Sequence, residues 1–209
     1  MIRMSDVTKQ YGQHTVLNHI NVEFIPNQIY GLVGPNGCGK TTLMRCVCGF
    51  TRPTSGTVAV DGKVIGKDCD FAPSTGIIIE TPGFLPHYSA WRNLAILAGI
   101  SGRASKERMD EVIRLVGLDP EDKKPVGKYS LGMRQRLGIA QAIMENPNTL
   151  ILDEPFNGLD KDGVRDIHAL LQEQKAQGKT IILASHSAAD IAQACDVVYE
   201  MEDGRLTTK

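Results

Sequence analysis

Short apolar runs, closed by glycine, proline or polar residues, dominate the pattern of this chain. Ile29-Tyr30-Gly31-Leu32-Val33, Thr149-Leu150-Ile151-Leu152 and Thr180-Ile181-Ile182-Leu183-Ala184 are apolar at nearly every position rather than at every second one. Such runs predict strands covered on both faces, as in a largely parallel sheet. Residues 1 to about 80 otherwise read as short strands and turns, among them 18–24 and 56–62. From about 88 to 145 the spacing changes. Apolar positions in 91–98 and 106–116 recur every three to four residues, which predicts helices, with breaks at 99–103 and 117–128. Helices are also predicted at 42–48 and 131–144, and from 149 to about 201 strand and helix alternate. The expected fold is α/β: a mixed, largely parallel core sheet, an antiparallel β subdomain and an inserted α-helical subdomain. One domain spans 1–209, with its core in 1–87 and 147–209 and the helical insertion at about 88–146.

Chemistry enters between the first strand and its helix. Gly34-Pro35-Asn36-Gly37-Cys38-Gly39-Lys40-Thr41-Thr42 fits G-x-x-x-x-G-K-[ST], the phosphate-binding P-loop. Gly34, Gly37 and Gly39 allow positive φ, so the N–H groups of the loop can curl around phosphates at the positive end of the following helix. Lys40 supplies a point charge, and the Thr41 hydroxyl is suited to Mg²⁺. A P-loop alone leaves kinases, GTPases and motors open. Asp153 and Glu154, adjacent at the end of the second apolar run, narrow the choice toward a hydrolase. Asp153 can bind the Mg²⁺ held by Thr41, and Glu154 can polarise the water that attacks the γ-phosphorus. Ser130 has the position of a helix N-cap before 131–144, which makes its hydroxyl and the free N–H groups behind it a second anion site.

With Tyr129-Ser130-Leu131-Gly132-Met133-Arg134-Gln135-Arg136-Leu137 standing between the P-loop and the Asp153-Glu154 strand, the chain resembles the nucleotide-binding subunit of ABC transporters. The resemblance covers essentially the whole chain. It implies a P-loop NTPase fold, with ATP and Mg²⁺ as cofactors. It also implies a dimer in which Ser130, Gly132 and Met133 of one subunit meet the γ-phosphate held by the other. Tyr11 is similar to the aromatic residue that stacks on adenine, and Val16 to an added apolar contact with the base. Asp160, in Asn157-Gly158-Leu159-Asp160, falls in the loop that crosses the dimer interface and is also suited to cap the next helix. His186, at the end of the third apolar run, corresponds to a histidine that donates to a γ-phosphate oxygen and holds the attacking water in line. Two positions depart from the common pattern. The signature reads Ser-Leu-Gly-Met rather than Ser-Gly-Gly-Gln, and Glu80 stands where glutamine is usual. Glu80 is expected to hold the metal. With Pro82-Gly83-Phe84-Leu85-Pro86, these departures resemble the branch serving bacitracin and lantibiotic resistance or immunity exporters.

Composition sets limits on partners. A length of 209 residues with 42% hydrophobic and 22% charged content suits one α/β domain with its own core, and a net charge of −1 gives no long-range pull toward nucleic acid. No apolar run reaches the roughly 20 residues needed to span a bilayer, and the first residues carry no signal-peptide core, so a cytoplasmic protein that borrows its membrane part is expected. Five cysteines without Cys-x-x-Cys spacing suggest reduced thiols, and Cys38, inside the P-loop, is expected to be open to alkylation. The histidines are scattered, so a metal cluster is not expected. The resemblance then implies an ATPase that forms a homodimer, or a heterodimer with a similar ATPase, around two Mg-ATP. It would drive a separate integral-membrane permease from the inner face of the membrane and export a peptide antibiotic or similar amphiphile. The permease is expected to dock near 81–91 through Phe84, Leu85 and Tyr88, with Trp91 as core. A regulatory module whose ATP-dependent dimerisation signals without transport is the alternative.

Overall fold

The computed structural model describes residues 1–208. In chain order it runs β1 (Ile2–Tyr11), β2 (His14–Phe24), β3 (Gln28–Val33), α1 (Lys40–Cys48), β4 (Ser55–Val60), β5 (Lys63–Val64) and β6 (Thr75–Ile78). Then follow α2 (Ala90–Ser101), α3 (Lys106–Leu115), a 3₁₀ turn (Val126–Lys128), α4 (Leu131–Ile143), β7 (Thr149–Asp153), α5 (Lys161–Ala176), β8 (Thr180–Ala184), α6 (Ala188–Ala194), β9 (Val197–Glu202) and β10 (Arg205–Thr208). Two sheets form. A six-stranded sheet has the order β10-β9-β3-β8-β7-β6, and a four-stranded one the order β2-β1-β4-β5. The larger sheet is parallel except for the β9–β10 pair, and the smaller is antiparallel throughout. The fold is thus the α/β arrangement expected from the apolar runs.

Period-two geometry explains why those runs are apolar at every position. Tyr30, Leu32, Ile151, Ile182 and Ala184 point to one side of the large sheet, where Leu43, Met44 and Val47 of α1 meet Ile2, Leu17, Phe24 and Val58 of the small sheet. Ile29, Leu150, Leu152, Ile181 and Leu183 point to the other side, against α4, α5 and α6. Truncating a fully buried member such as Leu152 to alanine is expected to cost about 2–5 kcal/mol. The cores of α2 and α3 join the second cluster through Leu94, Met109, Val112 and Ile113. Trp91 is half-buried there, and its Nε1 donates to Asp110 Oδ1 at 2.8 Å, tying α2 to α3.

One predicted break is misplaced. α2 passes through Gly99 and Ile100 and ends at Gly102, whose φ of 67° lets its N–H cap the Ala98 carbonyl. A left-handed C-cap, rather than the first glycine in the run, is what stops the helix. The contact that matters most for the site is at Gly76 of β6. A Cβ there would lie 1.9 Å from the carbonyl oxygen of Ala142, so α4 sits directly on the sheet and Ser130 at its start is fixed relative to the strands.

Candidate functional site

Strand register sets the site. Leu32 of β3 pairs with Ala184 of β8, and Ala184 pairs with Asp153 of β7, so these strands end level at one edge. The carboxyl edge of a parallel sheet is where such folds leave a crevice. Gly34, Gly37 and Gly39 in the loop after β3 take φ values of 150°, 81° and 114°. A Cβ at Gly34 would stand 2.2 Å from the Met201 carbonyl oxygen, and one at Gly39 2.8 Å from that of Val16. Side chains there would force the loop away from β9 and β2. α1 begins on Gly39 with no side-chain cap, so no loop side chain competes for its first N–H groups. Buried Lys40 donates from Nζ to the carbonyls of Gly34 at 2.7 Å and Pro35 at 3.0 Å.

Across this loop, Thr41 Oγ1 donates to Asp153 Oδ2 at 2.8 Å. Burial pushes the Asp153 carboxyl above the ordinary carboxylate value; the Thr41 hydroxyl opposes this, Glu154 and Glu80 add to it, and Lys40 also opposes it. Next to it, Glu154 has φ 50°, a left-handed conformation that costs a non-glycine residue about 1–2 kcal/mol. Its backbone is held on both sides: the N–H donates to Ala184 O at 2.8 Å, and the carbonyl accepts from Asn157 N and from Gln135 Nε2, each at 3.1 Å. The turn aims the carboxylate at His186, whose backbone N–H donates to Oε1 at 2.9 Å and whose Nδ1 lies 2.8 Å from Oε2. Asp153 and Glu154 share a concavity of about 280 Å³ with Asn36, Gly37, Gly39, Lys40, Thr41 and Thr42.

These residues fit a phosphate chain with a divalent cation. Adjacent ligands of an octahedral ion with bonds of roughly 2.0–2.1 Å lie about 2.9 Å apart, close to the Thr41–Asp153 separation. Asp153 is also a half-buried carboxylate beside Glu154 and Glu80, whose combined charge a cation would offset.

The other predicted residues lie outside this concavity. Val16 supports Gly39 from below through its carbonyl. Tyr11 is exposed, with Lys9 Nζ 4.8 Å from its ring centroid. Ser130 caps α4 as expected, its Oγ accepting from Met133 N at 3.2 Å, and Asp160 caps α5 by accepting from Gly163 N at 2.8 Å. Gly132 packs on the second of these segments, since a Cβ there would meet the Gly158 carbonyl oxygen at 2.6 Å. Leu131, where a glycine was expected, covers Gly158 from the other side.

Three predicted positions take particular settings. Glu80, at φ 62°, pairs with Arg45 of α1, its side chain is exposed, and its charge is felt at Asp153. Cys38 is only 9% exposed and packs with Leu43 and Met201 in the core, with Sγ 3.8 Å from Lys40 Nζ, so the thiol is turned away from reagents. An apolar concavity of about 730 Å³ is lined by residues 72–79 and 81–83, by Leu97 and Ile100 of α2, and by Gly138 and Ala142 of α4. Of 81–91 it takes only the first residues. Phe84 packs into the core, and Leu85 and Tyr88 are exposed outside it.

Gln135 went unnoticed in the sequence. It is a polar residue one helical turn before Ile139 on the buried face of α4, and that misplacement on an apolar stripe was the available signal. Arg45 carried none, because its partner is distant in sequence.

Residues 17–157 match the ABC transporter family. The chain is 45% identical over 208 residues to the uncharacterized ABC transporter ATP-binding protein YybJ of Bacillus subtilis, covering 100% of this chain and 95% of that one. It is 44% identical over 208 residues to the bacitracin transport ATP-binding protein BcrA of Enterococcus faecalis (99% of this chain, 68% of the relative). With the lantibiotic transport ATP-binding protein SrtF of Streptococcus pyogenes it shares 34% identity over 206 residues (99% and 89%). Among solved structures, an ATP-binding subunit of an ABC transporter superposes with a TM-score of 0.90 at 25% identity, covering 100% of this chain and 89% of that one. The dimeric cassette MJ0796 gives a TM-score of 0.88 at 22% identity (99% and 96%), a likeness of fold.

Proposed function

The chain belongs to the ABC transporter family as an ATP-binding subunit, and from that premise we propose that it hydrolyses ATP as a dimer closed around two Mg-ATP to power a separate membrane permease. The observation that carries the reading is the alignment of Thr41, Asp153, Glu154 and His186 along one sheet edge beside the P-loop. Lys40 and the amides of 34–41 bind the phosphates. Thr41 and Asp153 would hold Mg²⁺, and the ion would neutralise phosphate charge. Glu154 takes a proton from the attacking water, and His186, braced on Glu154, keeps that water and the γ-phosphate in line. Ser130, Gly132 and Met133 of a second copy close over the nucleotide, and Asp160 lies at that interface. Tyr11 and Val16 flank the base.

Relatives named for bacitracin and lantibiotic transport support export of a peptide antibiotic or similar amphiphile. The apolar groove between the sheet edge and α2 and α4 is the docking place for a cytoplasmic helix of the permease, which puts the protein on the inner face of the membrane. No helix among the described residues is long and apolar enough to cross a membrane. The test is Mg-dependent ATP turnover by the purified protein together with co-purification of a polytopic membrane protein. Turnover without any membrane partner in cells would reject the transport half of the proposal.

A further inference from the structure

The backbone turn at Glu154 is bonded to a residue outside the nucleotide concavity. Its left-handed backbone turns the chain from β7 so that the carboxylate meets His186. One of the bonds holding that turn comes from a side chain, the amide of Gln135, which donates from Nε2 to the Glu154 carbonyl at 3.1 Å. Gln135 is only 7% exposed and lies on α4 among Leu137, Ile139 and Ala140. A leucine or methionine would fill such a position without ordering and desolvating an amide, so packing does not account for a glutamine there. The same helix begins at Ser130, an exposed residue that does not line this chain's own concavity.

We propose that Gln135 is a positioning residue: through the Glu154 carbonyl it maintains the backbone turn that aims the base, and so ties the setting of α4 to the catalytic carboxylate of the same chain. The inference rests on the reading of Glu154 as the general base. Whatever moves the Ser130 end of α4 is then transmitted to Glu154 by one hydrogen bond, with no contact between Gln135 and nucleotide.

Gln135→Met keeps the length of the side chain and removes the donor. In the full-length protein it is expected to lower kcat for ATP about tenfold while KM stays within about twofold, the signature of a lost orientation rather than lost binding. In a Glu154→Gln background the same change is expected to cause no further loss, because there is no base left to aim. Near-native circular dichroism and thermal midpoint are checked for each variant; if Gln135→Met does not fold, Gln135→Glu, which exchanges donor for acceptor, is measured in the same way. A kcat within twofold of the parent, a rise in KM that matches the fall in kcat, or an equal further loss in the Glu154→Gln background overturns the proposal. Glu154→Gln that leaves turnover intact defeats the underlying reading instead, and is told apart because that variant is measured alone.

Discussion

The sequence marks two helix starts as anion sites, those of α1 and α4, and they are built differently. α1 opens on Gly39, has no side-chain cap, and stands beside Lys40, Thr41 and Asp153 in one concavity. α4 opens on Ser130, whose hydroxyl already accepts from Met133 N, and its first turn holds exposed Leu131 and no lysine. The first gathers a loop of free amides, a lysine, a hydroxyl and two carboxylates in one place. The second offers a hydroxyl, a few amides and exposed Arg134, without a carboxylate to share a metal. Division of this kind suits a protein in which binding occurs at one surface and completion of the site requires a second copy, because only then does closure depend on the nucleotide.

The sharpest way to break this comparison is to separate binding from turnover at the α1 site. Glu154 borders the concavity but touches His186 rather than the P-loop, so Glu154→Gln is expected to keep ATP affinity and lose at least about 10²-fold in kcat. Gel filtration with Mg-ATP should then show a dimer; a monomer with unchanged turnover would remove Glu154 from the mechanism. Lys40→Ala is expected to do the reverse. Its ammonium now rests on the Gly34 and Pro35 carbonyls, and its loss should weaken ATP binding by about 10–10²-fold, as for a charge-assisted hydrogen bond, measured by calorimetry. Equal affinity in Lys40→Ala would mean that the α1 site is not the one that binds.

At α4 a smaller effect is expected, and it must be separated from helix capping. Ser130→Ala removes both the cap and the hydroxyl and is expected to cost about 1 kcal/mol of stability, whereas Ser130→Gly costs only a few tenths. If the hydroxyl completes the nucleotide site of a partner, both variants should lose about tenfold in turnover and in ATP-dependent dimerisation while a single chain still binds ATP normally. Turnover that follows stability, with Ser130→Gly near the parent, would reduce α4 to an ordinary capped helix and leave the comparison without its second half.

Most of the first site was legible because its residues are contiguous or end apolar runs: the P-loop spelling fixes Gly34 to Thr42, and strand ends fix Asp153, Glu154 and His186 once the sheet is parallel. Facing and pairing were not legible. Whether Cys38 points out or in depends on the φ values of Gly34, Gly37 and Gly39, which sequence permits without specifying. The Gln135 contact with Glu154 needs the packing of α4 on β6, set at Gly76 and Ala142. The apolar concavity was not legible either, because its lining is brought together from Phe50, 72–83, 97–103 and 138–147.

Glu80 offers the smallest effect and the finest test of how complete the α1 site is. It pairs with Arg45, on the helix that begins at the P-loop, with side chains 64% and 39% exposed, and a pair that exposed contributes at most about 1 kcal/mol. Two readings remain distinct in what they predict. If Glu80 serves the metal, Arg45 competes for its carboxylate; Arg45→Met should then lower the Mg²⁺ concentration giving half-maximal turnover, and Glu80→Gln should raise it, each by about two- to threefold, since one carboxylate ligand is freed in the first and neutralised in the second. Turnover at saturating Mg²⁺ should stay within about threefold in Glu80→Gln, because Thr41 and Asp153 are untouched and Glu154 remains the base. If the pair is only a surface contact, neither variant shifts the Mg²⁺ requirement. Shifts of the same sign would also exclude competition, and a collapse of turnover in Glu80→Gln as deep as in Glu154→Gln would move the base itself to position 80.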